Sequence, residues 1–325
     1  MENILVTGGA GFIGSNLISS LLLSGEYKVI CLDNFDPYYP RRQKEMNIKP
    51  FLKDKNFTLI EEDICHLRDT ARIGPVDTIV HLAAKAGVRQ SFQQPHLYDK
   101  VNVEGTGNLL EFARKRNVRQ FIYSSSSSIY GQNPVPWKED GRIGPTNPYA
   151  MSKFSAETLG ELYSHLYDIR FIALRFFTVY GPGQRPDQAI HNFVDLALQE
   201  KPITVFGTGS SSRDYTYVTD IVAGIRAAMH YNKSDFEIIN LGGNNQVILN
   251  ELVDLIGSVC KLKMLVKYAG EQPGDVRHTC GHIHKAQALL NYQPTVNIRE
   301  GVRWFYNWFM LNLTQMNSLS NLKCA

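Results

Sequence analysis

The first 22 residues place a glycine-rich turn between a predicted strand and a predicted helix. Residues 4–6 form a short apolar run, the sequence TGGAGFIG follows, and leucine and isoleucine then recur at helical spacing over residues 17–22. Gly8 permits a tight turn, Gly11 lets the backbone approach a pyrophosphate, and Gly14 lets the helix pack on the sheet. The spacing predicts a strand, a phosphate-binding turn and a helix that starts at a dinucleotide.

A carboxylate follows the second predicted strand. Residues 28–32 form that strand and end in Asp33, about 20 residues after the last glycine of the turn. A carboxylate there can accept both ribose hydroxyls of an adenosine and would repel a 2′-phosphate. We therefore expect NAD(H) rather than NADP(H). The alternative is that the glycines only make a turn and Asp33 only ends a strand.

Short apolar runs alternate with helical patterns through the first half of the chain. The further predicted strands are residues 57–60, 78–81, 120–123 and 171–174, and the predicted helices are residues 109–116 and 149–166. This alternation predicts an α/β fold with a doubly wound parallel sheet. We expect a cofactor domain over residues 1–180 and a smaller, mixed α/β substrate domain over 181–325, with some chain crossing between them.

Ligands of such a sheet lie at the carboxyl ends of its strands. Asp63 follows one strand and could accept a hydrogen bond from an adenine amino group, while Ala83 and Ala84 would let a cofactor lie against the backbone. The five serines at 124–128 follow another strand, so they are predicted to line a cleft rather than to form a flexible linker. Each feature alone is also compatible with ordinary loop chemistry.

A tyrosine and a lysine lie four residues apart at the start of a predicted helix. Pro148 suits the first turn, and Tyr149 and Lys153 would share a helix face. An ammonium beside a phenol stabilises the phenolate, which lowers the tyrosine pKa from its usual value of about 10. The pair is a candidate general base, although the spacing alone is weak and Lys153 could be only a solvated helix residue.

Charge and cysteine content restrict the class of protein. The 34 basic and 31 acidic residues give a net charge of +3 without a basic block, which argues against nucleic acid as the main partner. The cysteines are odd in number and widely spaced, which predicts free thiols rather than disulfides or a zinc site: Cys31, Cys65, Cys260, Cys280 and Cys324. We recognise no signal peptide or membrane-spanning run, and we expect a cytoplasmic protein.

Motifs in a fixed order extend over nearly the whole chain. They are TGGAGFIG (7–14), Asp33, DI (63–64), HLAA (81–84), IYG (129–131), NPYAMSK (147–153), RFFTVYGP (175–182), RDY (213–215), VTD (218–220) and QPGD (272–275). Together they identify the chain as similar to the extended short-chain dehydrogenase/reductases and, within them, to the nucleotide-sugar 4-epimerases. The resemblance implies a Rossmann domain with bound NAD and a UDP-sugar substrate.

The resemblance also implies a reaction. Tyr149 matches the catalytic acid/base, Lys153 matches the lysine that tunes it and holds the nicotinamide ribose, and Ser126 matches the residue that hydrogen-bonds the reacting hydroxyl. Hydride would leave carbon 4 of the sugar for NAD and return to the other face of a transient 4-keto intermediate.

Further site residues follow from the same matches, and no metal is implied. The implied cofactor contacts are Gly8, Gly11, Phe12, Ile13, Gly14, Asp33, Asn34, Asp63, Ile64, Leu82, Ala83, Ala84, Asn102, Ser124, Tyr149, Lys153 and Phe176. The implied substrate contacts are Arg89, Ser126, Ser127, Ser128, Thr178, Val179, Arg185, Arg213 and Asp275.

The GQRPD segment at 183–187 resembles the UDP-glucuronate 4-epimerases in particular, and Arg185 could contact a sugar carboxylate. UDP-glucuronate and UDP-galacturonate are therefore the expected pair, with UDP-glucose or UDP-N-acetylglucosamine as alternatives. Thr178 is a departure, since many epimerases and dehydratases have asparagine there.

Two other functions remain open within the resemblance. Dehydratases generally carry an acid directly after the catalytic hydroxyl residue, whereas Ser127 follows Ser126 here. Non-catalytic NAD(H)-sensing proteins typically lose the tyrosine or the lysine, and this chain keeps both. The resemblance further implies a homodimer that pairs the helix around Leu109 with the helix that starts at Tyr149.

Overall fold

The computed structural model of the chain describes residues 1–67, 70–271 and 274–321, without the side chains of 70, 71 and 314–321. Its strands are β1 (Glu2–Thr7), β2 (Tyr27–Asp33), β3 (Phe57–Glu61), β4 (Thr78–His81), β5 (Gln120–Ser126), β6 (Arg170–Phe176), β7 (Thr178–Tyr180), β8 (Ile203–Phe206), β9 (Ser212–Tyr217), β10 (Phe236–Leu241), β11 (Gln246–Ile248) and β12 (Val266–Ala269). Its α-helices are α1 (Phe12–Ser24), α2 (Arg41–Ile48), α3 (Val88–Gln93), α4 (Pro95–Tyr98), α5 (Gly105–Arg116), α6 (Pro148–Leu166), α7 (Ala189–Leu198), α8 (Val218–Met229), α9 (Leu249–Cys260), α10 (His284–Leu290) and α11 (Ile298–Asn321).

A seven-stranded parallel sheet forms the larger part of the molecule, in the order β10-β6-β5-β4-β1-β2-β3. Successive buried residues of β1 belong to different cores: Ile4 packs in the core on one face, and Leu5 packs with α5 and α6 on the other. Helices therefore cover both faces, which confirms the predicted doubly wound α/β fold. The strand order reverses between β1 and β4, which is where such sheets bind their ligands.

The glycine turn after β1 is shaped by close backbone packing. Gly8 has a φ of +68°, and a Cβ added to it would lie 2.7 Å from the backbone nitrogen of Ala83. A Cβ on Gly14 would overlap the carbonyl oxygen of Gly8. Only glycine can occupy these positions without moving the backbone, so the turn between β1 and α1 stays open for a phosphate.

The chain crosses back into the large sheet after the expected boundary at residue 180. Helix α8 leads to β10, which pairs in parallel with β6 from Phe236↔Phe171 to Leu241↔Phe176. The residues of β10 did not stand out as a strand in the sequence, although some crossing was expected. Its inward-facing Ile239 and Leu241 are completely buried, so tertiary burial at the sheet edge defines this strand.

The smaller part contains two short sheets. β7 and β9 pair in parallel and β9 and β11 pair antiparallel, while β8 and β12 form a separate parallel pair. This is the predicted mixed α/β arrangement. No helix within residues 1–67, 70–271 and 274–321 is long and apolar enough to cross a membrane.

The four cysteines that the structure describes are free thiols: Cys31, Cys65, Cys260 and Cys280. Cys324 lies outside the described residues.

Candidate active site

A cleft of about 2040 Å³, including the volume open to solvent, runs along the carboxyl ends of β1, β2, β4, β5 and β6. Its lining includes all but two of the residues predicted to contact cofactor or substrate. The residues that do not line it are Arg89 and Asn102. The topology thus brings together positions that are spread from Gly8 to Asp275.

Asp33 lies at the end of the cleft next to the glycine turn. Its carboxylate accepts hydrogen bonds from the backbone N–H of Ala10 at 3.1 Å and of Phe35 at 2.8 Å. Lys44 Nζ lies 3.4 Å from Asp33 Oδ1, and both side chains are buried. Sequence reasoning missed Lys44, because α2 is mostly polar and its pattern does not show which of its charged residues faces inward.

Asp63 lies two residues after the end of β3, the strand that pairs with β2 and Asp33. Its oxygens accept hydrogen bonds from Cys65 N at 2.8 Å and from Asn34 Nδ2 at 2.9 Å. Burial opposes ionisation of Asp63, but these hydrogen bonds outweigh it and lower the pKa of the carboxyl. Asp63 therefore remains a hydrogen-bond acceptor, to which an amino group can donate.

Helix α6 begins as predicted. The Asn147 side chain accepts a hydrogen bond from Ala150 N at 2.8 Å and caps the helix, and Pro148 occupies its first turn. Lys153 is buried, donates from Nζ to the Ser124 carbonyl at 2.7 Å, and lies 4.8 Å from the centre of the Tyr123 ring. Burial lowers the pKa of Lys153 to about 7.

The expected lowering of the Tyr149 pKa by Lys153 is wrong for this arrangement. Burial raises the pKa of Tyr149, although a hydrogen bond with Ser126 and the charge of Arg185 oppose that rise. Within the described part of the chain, no hydrogen bond joins Lys153 to Tyr149. Lys153 is itself desolvated and donates to the Ser124 carbonyl. Its ammonium therefore stabilises the Tyr149 phenolate less than the helical spacing suggests. Burial therefore favours the protonated phenol of Tyr149, and the interaction with Ser126 favours the phenolate.

All five serines line the cleft, as the sequence predicts. β5 runs on through Ser126, three residues beyond the predicted strand. Ser126 Oγ accepts hydrogen bonds from Ser128 N at 3.2 Å and from Ser128 Oγ at 2.9 Å. The residue after Ser126 is Ser127, so a hydroxyl and not a carboxylate lies beside Ser126.

Two arginines, Arg185 and Arg213, supply cationic groups to the cleft. Arg185 forms a bidentate ion pair with Asp187, with Nε–Oδ1 at 2.9 Å and Nη2–Oδ2 at 3.0 Å. Arg213 lines the cleft and donates from Nη1 to the carbonyls of Ser212 at 3.0 Å and Arg277 at 3.2 Å. These backbone acceptors hold the Arg213 guanidinium in place without neutralising it.

The remaining residues predicted to contact the substrate line the cleft or lie at its rim. Thr178 and Val179 line the cleft. In the motif QPGD, residues 272 and 273 lie outside the described residues, whereas Asp275 lines the cleft and pairs at 3.4 Å with the exposed Arg89. Arg89 also lies over the Phe206 ring, at 4.4 Å, so the structure places it at the rim.

Asn102 lies one layer behind the cleft. Its Oδ1 accepts from Lys85 N at 2.8 Å, and its Nδ2 donates to Lys85 O at 3.0 Å and to Ser152 Oγ at 2.9 Å. Asn102 thereby ties the segment after β4 to α6, which supports the lining without forming part of it.

Sequence reasoning also missed a group of residues from the loops after β2 and β4. Asp36 and Tyr38 line the cleft with Lys85, whose Nζ lies 2.8 Å from Asp36 Oδ2. The rule that ligands lie at the carboxyl ends of strands could have identified Asp36 and Lys85. Trp137 and Gln188, which also line the cleft, carry no such signal.

Comparison with known proteins gives consistent results. Residues 4–242 match the NAD dependent epimerase/dehydratase family. The UDP-glucuronate 4-epimerase of Thermodesulfobacterium geofontis is 37% identical over 324 residues, which cover 98% of this chain and 99% of the relative.

Solved structures agree with the sequence matches. The UDP-glucuronic acid 4-epimerase of Bacillus cereus, solved with UDP-glucuronic acid and NAD, is 35% identical with a TM-score of 0.91, and the match covers 95% of this chain and 99% of that one. The UDP-glucose 4-epimerase of Thermotoga maritima, solved with UDP-glucose, is 31% identical with a TM-score of 0.87, over 96% of this chain and 99% of that one. The resemblance drawn from the motifs is confirmed, and the chain belongs to the NAD dependent epimerase/dehydratase family.

Proposed function

We propose that the protein is an NAD-dependent epimerase that inverts carbon 4 of a UDP-sugar, with UDP-glucuronate and UDP-galacturonate as its substrate pair. The observation that carries the proposal is the meeting of Tyr149, Ser126 and Arg185 in the one cleft that the glycine turn also lines. The similarity to epimerases solved with NAD and UDP-sugars supports it.

The end of the cleft near Asp33 fits a dinucleotide. The cradle at Gly8 and Gly14 excludes a Cβ, so the backbone can approach a pyrophosphate, and the carboxylate of Asp33 can accept ribose hydroxyls. Asp63 would hold the adenine, and Lys153 would hold the nicotinamide ribose. Bound NAD supplies reversible hydride acceptance, and the other steps are carried by residues of this chain.

Tyr149 acts as the acid/base at the 4-hydroxyl. Its hydrogen bond with Ser126 fixes the phenol where a sugar hydroxyl could contact both side chains. The phenolate form of Tyr149 takes the hydroxyl proton as carbon 4 is oxidised, and the resulting phenol returns that proton after the 4-keto sugar has turned over. Lys153, buried with a pKa near 7 and bonded to the Ser124 carbonyl, can change its charge near neutral pH, so we expect activity to depend on pH in that range.

The chemistry beside Ser126 favours epimerisation over dehydration. Eliminating a hydroxyl requires an acid to protonate the leaving group, and the adjacent lining residues Ser127 and Ser128 carry hydroxyls only. Conversion of dTDP-glucose into a 4-keto-6-deoxy product would contradict this proposal.

Arg185 is the basis for choosing a uronate. It lines the cleft with Tyr149, and its charge opposes the rise that burial causes in the Tyr149 pKa, so the guanidinium acts electrostatically at the reacting position. A carboxylate at carbon 6 of the sugar would find a planar cationic donor there. UDP-glucose and UDP-N-acetylglucosamine carry no such charge and are the alternatives.

The direct test is the product. Purified protein should convert UDP-glucuronate into UDP-galacturonate, observed by NMR, without added NAD if the cofactor stays bound. Formation of an equilibrium mixture of the two uronates confirms the reaction. Turnover of UDP-glucose with a higher kcat/KM than the uronate would reject the substrate assignment.

Replacing Arg185 with leucine should reduce kcat/KM for UDP-glucuronate by roughly 10- to 10²-fold, because a charge-assisted bond to a carboxylate is worth about 1.5–3 kcal/mol. The loss for UDP-glucose should be much smaller. The measurement is kcat/KM for both substrates, and equal losses would indicate that Arg185 serves folding or the diphosphate instead.

We further propose a homodimer formed through α5 and α6. Helix α6 exposes apolar side chains that a partner would cover, with Met151, Leu162 and Leu166 exposed by 49%, 50% and 61%. The free thiols support a reducing compartment, in line with a cytoplasmic location.

Leu162→Lys should convert the dimer into a monomer, because the interface would then bury an unpaired charge. Light scattering at micromolar concentration measures the mass, with Leu23→Lys, an exposed leucine on α1, as the matched control. A wild-type protein of monomer mass would reject the dimer.

A further inference from the structure

Arg185 is held by a carboxylate of its own loop. Asp187 accepts from its Nε and Nη2 together, which fixes the plane of the guanidinium. The Arg185 side chain is only 20% exposed. Burial disfavours its charge, but the hydrogen bonds and charge of Asp187 outweigh burial and raise the pKa of Arg185. The guanidinium is therefore permanently charged and kept in one orientation.

Asp187 is fixed in turn by a residue that is distant in sequence. The Tyr38 hydroxyl donates to Asp187 Oδ2 at 3.1 Å, and the Tyr38 ring centre lies 5.5 Å from Arg185 Cζ. Burial and the neighbouring Asp187 raise the pKa of Tyr38 to about 12, so its phenol keeps the proton that it donates. These three residues form a chain of contacts that we call the Tyr38–Asp187–Arg185 clamp.

The clamp is anchored in the segment that leaves β2. Tyr38 follows Asp33 in that segment, and the ion pair of Asp36 with Lys85, at 2.8 Å, ties the segment to the loop after β4. The orientation of Arg185 consequently depends on a loop that lines the cofactor end of the cleft.

The clamp leaves part of the guanidinium available to a ligand. Arg185 lines the cleft and Asp187 does not. Asp187 occupies Nε and Nη2, while Nη1 has no hydrogen-bond acceptor among residues 1–67, 70–271 and 274–321. A second carboxylate can therefore approach Arg185 without displacing the first.

We propose that Asp187 is a specificity-determining positioning residue, which holds Arg185 ready for the carboxylate of the sugar, with Tyr38 fixing Asp187. This inference rests on the proposed function. Without Asp187, the arginine must be ordered at each binding event, and immobilising one such side chain costs roughly a factor of ten in affinity.

Asp187→Asn tests the clamp, because it removes the charge and keeps the size of the side chain. The ratio of kcat/KM for UDP-glucuronate to that for UDP-glucose should fall about tenfold, mainly through KM of the uronate. Tyr38→Phe, which keeps the ring under Arg185, should lower the ratio less, and Asp187→Glu should restore part of it. Asp254→Asn, at an exposed position of α9 away from the cleft, is the matched control and should leave the ratio unchanged.

Each outcome is decisive. An unchanged ratio in folded Asp187→Asn overturns the proposal, and a raised uronate affinity also overturns it, because Asp187 would then be a competing carboxylate. A wild type that prefers UDP-glucose rejects the proposed function and the clamp together. If the wild type prefers the uronate and Asp187→Asn leaves the ratio of kcat/KM values unchanged, only the clamp is rejected. If Asp187→Asn does not fold, Tyr38→Phe decides by the same ratio.

Discussion

Tyr149→Phe should lower kcat by about 10²–10⁴-fold while UDP-sugar binding and cofactor content stay close to wild type. The substitution removes one hydroxyl and keeps the ring, which packs edge-on against Tyr98 with centroids 6.2 Å apart. The wall of the cleft should therefore survive. The loss reflects the missing proton acceptor, since Ser126 alone has no base to receive the proton of the 4-hydroxyl.

The measurement combines turnover by NMR with calorimetric titration of UDP. Tyr268→Phe is the matched control, because Tyr268 lies on β12, is 56% exposed and does not line the cleft. Retained turnover in Tyr149→Phe would show that another group transfers the proton. Lost UDP binding would show that Tyr149 supports the cleft, and the kinetic effect could then not be assigned to proton transfer.

Removing either partner of the buried Glu157–Arg175 pair should destabilise the protein by about 3–5 kcal/mol, because the other charge would remain buried without a counterion. Arg175 Nε and Nη2 donate to the Glu157 carboxylate at 3.0 and 2.7 Å, and both side chains are only 2% exposed. Arg175 Nη1 also donates to the Tyr130 hydroxyl at 2.9 Å. The pair joins α6 to β6 two turns beyond Tyr149, so its loss should also reduce turnover.

A double-mutant cycle separates the interaction energy of the Glu157–Arg175 pair from the cost of desolvating its charges. Glu157→Leu and Arg175→Met should each be strongly destabilising, and the double variant should be less destabilised than either, because no charge is then buried. Urea unfolding gives the four stabilities. Additive losses would mean that the two residues stabilise the fold independently, contrary to the geometry.

Much of the fold follows from local sequence patterns. The strands of the first half were predicted to within two residues at each end, apart from β5, which extends three residues further, through the serines to Ser126. The start of α6 was predicted because Asn147 and Pro148 are local signals of a helix N-terminus. β10 had no comparable signal, since its burial comes from β6 and α8, which lie far away in sequence.

The candidate site divides in the same way. The glycine turn, Asp33 and the Tyr149/Lys153 spacing could be predicted from the sequence, because backbone conformation and helical periodicity depend on neighbouring residues. The direction of the shift in the Tyr149 pKa could not be predicted from the sequence. Desolvation and the contact of Lys153 with the Ser124 carbonyl arise only when β5 and α6 pack.

By itself, then, the sequence determined the doubly wound fold and the dinucleotide turn, since each depends on patterns within about 20 residues. Its family resemblance implied most, but not all, of the residues that line the cleft. Tertiary structure alone decided which polar side chains from distant segments are paired. Lys44 meets Asp33, and Tyr38 reaches Asp187 across 149 positions of the chain. Such pairings depend on distance and desolvation in the folded molecule, and these are properties that no local spacing specifies.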